Sequence, residues 1–317
     1  MCYVWAMQAL CFQWHLTDRC NLRCGHCYQE RFDAAAELTT DELCRLADRI
    51  IAAASPVTIH LTGGEPLLLP GFDRLLSHLD GFGEVVELHV ITNGTVTVAA
   101  ALDALARASR LTTIKVSVES ADPGINDRIR GPGNLARVER GIARLREATD
   151  KSVVTMVTFG RHNAAGVKRF AAWSRDQGVA GAIFERFVPL GRGRAMAGAT
   201  LDEAGWSEVA AAVYGLADID ADAEDLPPYR AFWLGFEDGG EECSLAGAEC
   251  NLGSGSMALM PDGTVCPCRR FPEPLGNARF EPVATIRERL ERFAAAFGTP
   301  ARPGCRALEQ ALGSGGG

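Results

Sequence analysis

Apolar runs and helical stripes alternate along the first two-thirds of the chain. Six short runs rich in Val, Ile, Leu and Thr, at 12–16, 57–62, 87–92, 113–118, 153–159 and 182–188, read as strands. Between them lie stripes at helical spacing. Leu43, Leu46, Ala47, Ile50, Ile51 and Ala54 form one, opened by a capping box from Thr39 to Glu42 and ended by Pro56. Leu135/Val138/Ile142/Leu145 and Val167/Phe170/Ala171/Trp173 form others. Strands separated by helices predict parallel β/α units in an open sheet or a barrel, with chemistry at the C-terminal ends of the strands. A further helix is expected over 201–216. The stretch 218–228 is acidic, ends in Pro-Pro and reads as an exposed linker. The aromatic run 229–236 reads as packing between domains. Pro261-Asp262-Gly263 between two strand-like arms predicts a β-hairpin.

Composition narrows the function classes. A length of 317 residues with 47% apolar content suits one large α/β domain and a small second one. The net charge of -8 argues against a general nucleic-acid or membrane-surface role, since both partners repel an acidic protein. No apolar run is long enough to span a bilayer. The first residues are apolar but lack the basic start of a signal peptide, so a cytoplasmic protein is expected. Eleven cysteines then point to metal sites rather than a disulfide framework. One group is Cys20, Cys24 and Cys27; another is Cys243, Cys250, Cys266, Cys268 and Cys305. Cys2, Cys11 and Cys44 are left as buried structural thiols.

Cys20-Asn21-Leu22-Arg23-Cys24-Gly25-His26-Cys27 places three thiols on one short loop after the first strand, spaced C-x3-C-x2-C. Thiolates suit iron–sulfur clusters and zinc. Three ligands leave a metal position open or call for a distant fourth. Gly63-Gly64-Glu65-Pro66 follows the second strand, where two glycines permit close approach of a ligand and Glu65 offers a carboxylate or backbone contacts to an amine. The cluster loop with this tetrapeptide resembles the radical S-adenosylmethionine (radical SAM) enzymes. In that family the three cysteines hold a 4Fe-4S cluster whose fourth iron binds SAM, and one electron cleaves SAM to a 5'-deoxyadenosyl radical. The resemblance places His26 near the adenine and Gly63, Gly64, Glu65 and Pro66 at the SAM amino group. It puts Asn93, Ser117 and Glu119, at strand ends, near the ribose or methionine. Arg128 or Arg130, in the segment 127–131, is a fork for the SAM carboxylate. Each of these polar residues is equally open to a reading as turn chemistry or a solvated helix end.

The spacing C-x12-G-x4-C from Cys250 through Gly263 to Cys268 resembles the opening of the SPASM domain, which binds auxiliary 4Fe-4S clusters in peptide-modifying radical SAM enzymes. The later dense cysteines of that domain are missing, so the resemblance is to the single-cluster, twitch-type version. It implies Cys243, Cys250, Cys268 and Cys305 as ligands, with Cys266 competing with Cys243 and zinc as the alternative metal. The fold implied is α/β, a partial (β/α)6 radical SAM barrel with a small C-terminal SPASM/twitch domain. Its parts are a core over 1–200, a helical segment and linker over 201–240, and a cluster domain over 241–317 with a disordered Ser-Gly tail. The implied cofactors are the SAM-binding 4Fe-4S cluster, SAM and one auxiliary 4Fe-4S cluster. The implied activity is hydrogen abstraction from a ribosomally made precursor peptide, giving a crosslink, epimerisation or related change. A reductant such as flavodoxin or ferredoxin would supply electrons. Only about ten residues precede the first strand, too few for a leader-recognition domain, so a separate recognition protein or leader-independent binding is expected. Two alternatives stand beside this: a radical SAM enzyme acting on a small molecule or tetrapyrrole, and a non-catalytic electron-transfer or zinc-structured protein. Cys2, Cys11 and Tyr229 are candidate hydrogen donors that spacing does not place.

Overall fold

The computed structural model describes residues 10–35, 37–54, 56–219, 229–236, 243–250, 252, 255–271, 273–296 and 305–308. Most of the acidic linker, the Ser-Gly tail and Cys2 lie outside these residues. The elements of the core are β1 (Leu10–His15), α1 (Thr40–Ala53), β2 (Val57–Thr62), α2 (Phe72–Asp80), β3 (Val85–Thr92), α3 (Ala99–Arg107), β4 (Leu111–Ser117), α4 (Pro123–Arg130), α5 (Asn134–Ala148), β5 (Ser152–Phe159), α6 (Val167–Asp176), β6 (Gly181–Arg186) and α7 (Glu203–Tyr214). They are followed by β7 (Ala231–Phe236), β8 (Cys243–Ala248), β9 (Ser256–Leu259), β10 (Thr264–Cys266), β11 (Gly276–Asn277) and α8 (Val283–Ala296).

β1 to β6 pair in chain order, each parallel to the next, which is the expected open β/α barrel. Side chains alternate across the sheet. Phe12, Trp14, Ile59, Leu61, Val90, Val116, Val157 and Phe184 join the helices in the main core. Gln13, His60, Ile91, Lys115, Met156 and Ile183 face the barrel interior instead. α1 is capped as expected: Thr39 accepts from the Glu42 amide while the Glu42 carboxylate accepts from the Thr39 amide.

The C-terminal strands extend this sheet at both edges. β7 adds antiparallel to β6 and β8 antiparallel to β7, and β9 adds parallel to β1 and carries β10 and β11, giving the order β11-β10-β9-β1-β2-β3-β4-β5-β6-β7-β8. The aromatic run is therefore a sheet strand. Phe232 is fully buried against Trp206, Tyr214 and Tyr229. The expected hairpin forms as β9 and β10, with Gly263 in the left-handed region at φ 85° at its turn. Cys44 is a buried thiol as expected, whereas the buried Cys11 is disulfide-bonded.

Candidate active site

The loop after β1 is fixed by neighbouring strand ends before any ligand is considered. The Gly64 amide donates to the Thr17 carbonyl and the Glu65 amide to the Arg19 carbonyl, both at 2.8 Å. A Cβ on Gly64 would lie 2.3 Å from the Arg19 carbonyl oxygen, and one on Gly63 2.5 Å from that of Thr17. The paired glycines are thus required by the cluster loop packing on them. Both glycines also line the cavity that holds the three thiols. The Gly25 amide donates to the Ile129 carbonyl and the Gly193 amide to the Cys27 carbonyl, clamping the far side of the loop.

Held in this way, Cys20, Cys24 and Cys27 share one cavity with His26, Gly63, Gly64, Asn93, Ser117 and Arg130. Arg128, by contrast, is exposed on α4, so of the two candidate arginines only Arg130 reaches the cavity. Asn93 donates to the Asn21 side chain at 2.8 Å and so also braces the cluster loop.

Glu65 and Glu119 are both fully buried, and neither is among the residues lining the cavity. Glu65 caps the short 3-10 turn Pro66–Leu68, which buries Pro66, and accepts from Leu67 N at 3.3 Å. It also accepts from the Thr92 hydroxyl and the Asn93 amide, each at 2.7 Å. Burial outweighs these bonds and pushes its carboxyl up to about 7.

Glu119 instead collects charge. One oxygen accepts from Arg130 Nε at 3.0 Å and Nη2 at 2.5 Å and lies 3.2 Å from His26 Nε2; the other accepts from the Thr158 amide at 2.9 Å. Burial alone would raise this carboxyl. The charges of His26 and Arg130, with those hydrogen bonds, hold it well below the usual carboxylate range. Glu119 therefore aims Arg130 and His26 at the cavity. His26 Nδ1 is buried without a partner among the described residues.

A second cavity is lined by Cys250, Cys268 and Cys305. It meets the first at a common wall of Ile91, Met156, Glu185, Arg269 and Arg270, which line both. Glu185, at the end of β6, sits among three guanidiniums: Arg270 at 3.1 Å, and Arg269 and Arg230 at 3.9 Å. Burial would raise its carboxyl, yet these cations hold it at about 2. Arg269 also stacks over the Tyr28 ring at 4.2 Å. Cys243 does not join these thiols. It opens β8 opposite Phe236, at the other end of that strand from Cys250, and its sulfur accepts from Arg175 at 2.9 Å. Cys266 lines a separate cleft with Met260 and Asp262. Neither rival for the fourth ligand reaches the cavity of the other three.

The donor sets fit iron–sulfur clusters. Both sites gather three soft donors, and a 4Fe-4S cluster accepts three thiolates. Burial pushes the Cys20 thiol up to about 11 and raises Cys24 and Cys27 as well. Metal binding would then release protons at each. The unpartnered His26 Nδ1 and the aimed Arg130 supply a donor or acceptor and a cation at the edge of the first site, as a zwitterionic nucleoside needs. The pair Glu185-Arg186 ends the sixth strand, where the end of the barrel is expected to face substrate or SAM; Arg269, Arg270 and Lys115 carry no motif, and their partners are distant in the chain.

Comparison with known proteins agrees with this geometry. Residues 14–173 match the radical SAM superfamily, and residues 250–307 match the SPASM iron–sulfur cluster-binding domain. The chain belongs to the radical SAM superfamily and carries a SPASM domain. Its cofactors are accordingly a SAM-binding 4Fe-4S cluster, SAM and auxiliary iron–sulfur binding.

Among individual relatives it is 32% identical over 180 residues to GTP 3',8-cyclase of Haemophilus influenzae (strain PittGG), covering 55% of this chain and 51% of that protein. It is 26% identical over 266 residues to the subtilosin biosynthesis protein AlbA of Bacillus subtilis (strain 168), covering 83% and 56%. The chain thus spans about half the length of these relatives. Its fold is that of anSMEcpe with bound AdoMet and Cp18Cys peptide, at TM-score 0.71 and 15% identity over 92% of this chain and 84% of that one. Streptococcus suis SuiB bound to its precursor peptide SuiA gives TM-score 0.65 at 14% identity, over 87% and 64%. Among the described residues no helix is long and apolar enough to cross a membrane.

Proposed function

We propose that the protein modifies a ribosomally made peptide by hydrogen abstraction. The observation that carries this reading is the common wall between two thiol-lined cavities, which leaves a substrate space with an electron carrier on either side. The likeness to AlbA, a bacteriocin biosynthesis protein, supports it. That match extends over 83% of the chain, whereas the match to the cyclase extends over 55%.

In this reading Cys20, Cys24 and Cys27 hold the SAM-binding cluster, and Cys250, Cys268 and Cys305 hold the auxiliary one. When bound, the first cluster with SAM supplies a 5'-deoxyadenosyl radical to take a substrate hydrogen atom. Arg130, fixed by Glu119, would receive the SAM carboxylate, and His26 would lie beside the adenosyl part. Met156 and Ile91 give the space between the two sites an apolar lining. The reductant and the precursor peptide are the partners required, in a reducing compartment such as the cytoplasm.

The cationic wall of Arg230, Arg269 and Arg270 favours a second reading, in which an anionic small molecule such as a nucleotide is the substrate. One experiment separates the two. Anaerobically reconstituted protein is given SAM and reductant, with either precursor peptides encoded beside its gene or GTP, and 5'-deoxyadenosine and peptide mass are followed. Peptide-stimulated cleavage with a mass change is expected. Stimulation by GTP and by none of the peptides would refute the peptide reading.

A further inference from the structure

We propose that Arg270 raises the reduction potential of the auxiliary cluster, and that Glu185 positions it to do so. Its backbone amide points at Cys268 Sγ at 3.1 Å, and its Nη1 reaches Cys305 Sγ at 3.5 Å. Its Nη2 donates to Glu185 Oε2 at 3.1 Å. One residue thus places a backbone donor on one candidate ligand and a permanent cation on another. A strand-end carboxylate holds the guanidinium by its remaining corner. The side chain is only 12% exposed, so its charge acts through protein rather than water.

The direction of the effect follows from charge. A cluster gains a negative charge on reduction. Hydrogen bonds to its sulfurs and a nearby cation stabilise the reduced form and raise the potential. Glu185 offsets part of this field, but it is one carboxylate among Arg230, Arg269 and Arg270, so the wall stays net positive. The wall also faces the first cavity. An electron released by a substrate radical there would meet the cationic side of the auxiliary site. The arrangement suits an acceptor, with one electron moving from the oxidised substrate radical to the oxidised cluster and a proton leaving the substrate.

This inference rests on Cys250, Cys268 and Cys305 as ligands, and the test checks that separately. The reconstituted full chain is titrated potentiometrically under EPR detection as wild type, Arg270→Lys, Arg270→Gln and Cys268→Ala. The auxiliary midpoint is expected to fall in the order wild type, Arg270→Lys, Arg270→Gln. For Arg270→Gln the reduced-to-oxidised ratio at fixed potential should drop at least tenfold, which is 59 mV for one electron. The SAM-cluster midpoint should move less than the auxiliary one, because Arg270 contacts Cys268 and Cys305 and only borders the first cavity; a merely structural loss would not separate the two. An Arg270→Gln midpoint at or above wild type overturns the proposal. If Arg270→Gln fails to hold the auxiliary iron, Arg270→Met takes its place under the same criterion. A Cys268→Ala protein that keeps the auxiliary signal removes the ligand set and the proposal with it.

Discussion

Removing the Glu119 carboxylate tests the site most directly, because the carboxylate serves both stability and binding. Its four contacts converge from β5, α4 and the cluster loop, and Arg130 is left with only 7% of its surface exposed. Glu119→Ala strands a buried guanidinium, which costs about 3–5 kcal/mol. The Thr158 amide loses its acceptor as well, but these losses share partners and do not simply add. Glu119→Gln keeps the shape and one acceptor, so about 2 kcal/mol is expected, in the range for a hydrogen bond to a charged group.

Urea unfolding of the metal-free protein measures both variants, and equilibrium dialysis of the reconstituted protein measures SAM. Binding should weaken at least tenfold in either, about 1.4 kcal/mol, as Arg130 and His26 lose their aim. The double variant Glu119→Gln/Arg130→Gln sharpens the test: removing both charges should restore much of the stability but none of the SAM affinity. The sign with pH follows from the depressed carboxyl. The stability advantage of wild type over Glu119→Gln is fully present above the ordinary Glu value of about 4.3 and is lost as pH falls below it. A Glu119→Ala protein within about 0.5 kcal/mol of wild type, the ordinary scatter of surface substitutions, and binding SAM normally would refute the reasoning.

Gly64→Ala should displace the cluster loop, since the new methyl would sit 2.3 Å from the Arg19 carbonyl oxygen. A loss of about 1–3 kcal/mol, typical of overpacking, with reduced iron at the first site is expected; full iron and unchanged urea midpoint would contradict it. Cys243→Ser should leave iron per chain unchanged, because Cys243 lies against Arg175, whereas Cys268→Ser should lose the auxiliary iron. Equal losses in both would return Cys243 to the ligand set. For Glu65, raised to about 7 by burial, the folded state holds a proton that the unfolded chain releases. Stability should therefore decline as pH rises from about 4.3 towards 7 and then level off. Glu65→Gln should abolish that slope, and a slope that persists would place it elsewhere.

Much of this molecule is legible in its sequence, for identifiable reasons. The six strands of the core each carry an apolar, β-branched-rich face covered by helices, and such runs stand out. The Thr39 capping box and the turn at Pro261-Asp262-Gly263 are local chemistry, complete within a few residues. The three cluster cysteines are likewise adjacent. What stays hidden is chemistry assembled across distance. Glu119 finds Arg130 eleven residues on, but reaches His26 only through the fold. Arg270 and Glu185 meet across 85 positions. The role of Glu65 is hard to read from sequence because a carboxylate at a strand end looks the same whether it faces a ligand or caps its own turn. The run 231–236 conceals a strand because its aromatic residues suggest packing and its pairing partner lies back in β6.

The sheet order has a consequence for how such proteins can be rebuilt. Both backbone edges of the open barrel, at β1 and at β6, are occupied by segments from beyond residue 230. A fragment ending after α7 would bare two rows of unpaired amides and carbonyls, an invitation to strand-to-strand self-association. The last third of the chain is thus less a cartridge than a selvedge. An exchange with a relative would have to carry β7 to β11 together, and a splice at the SPASM boundary near residue 250 would cut β7 and β8 away from the β9–β11 edge they travel with.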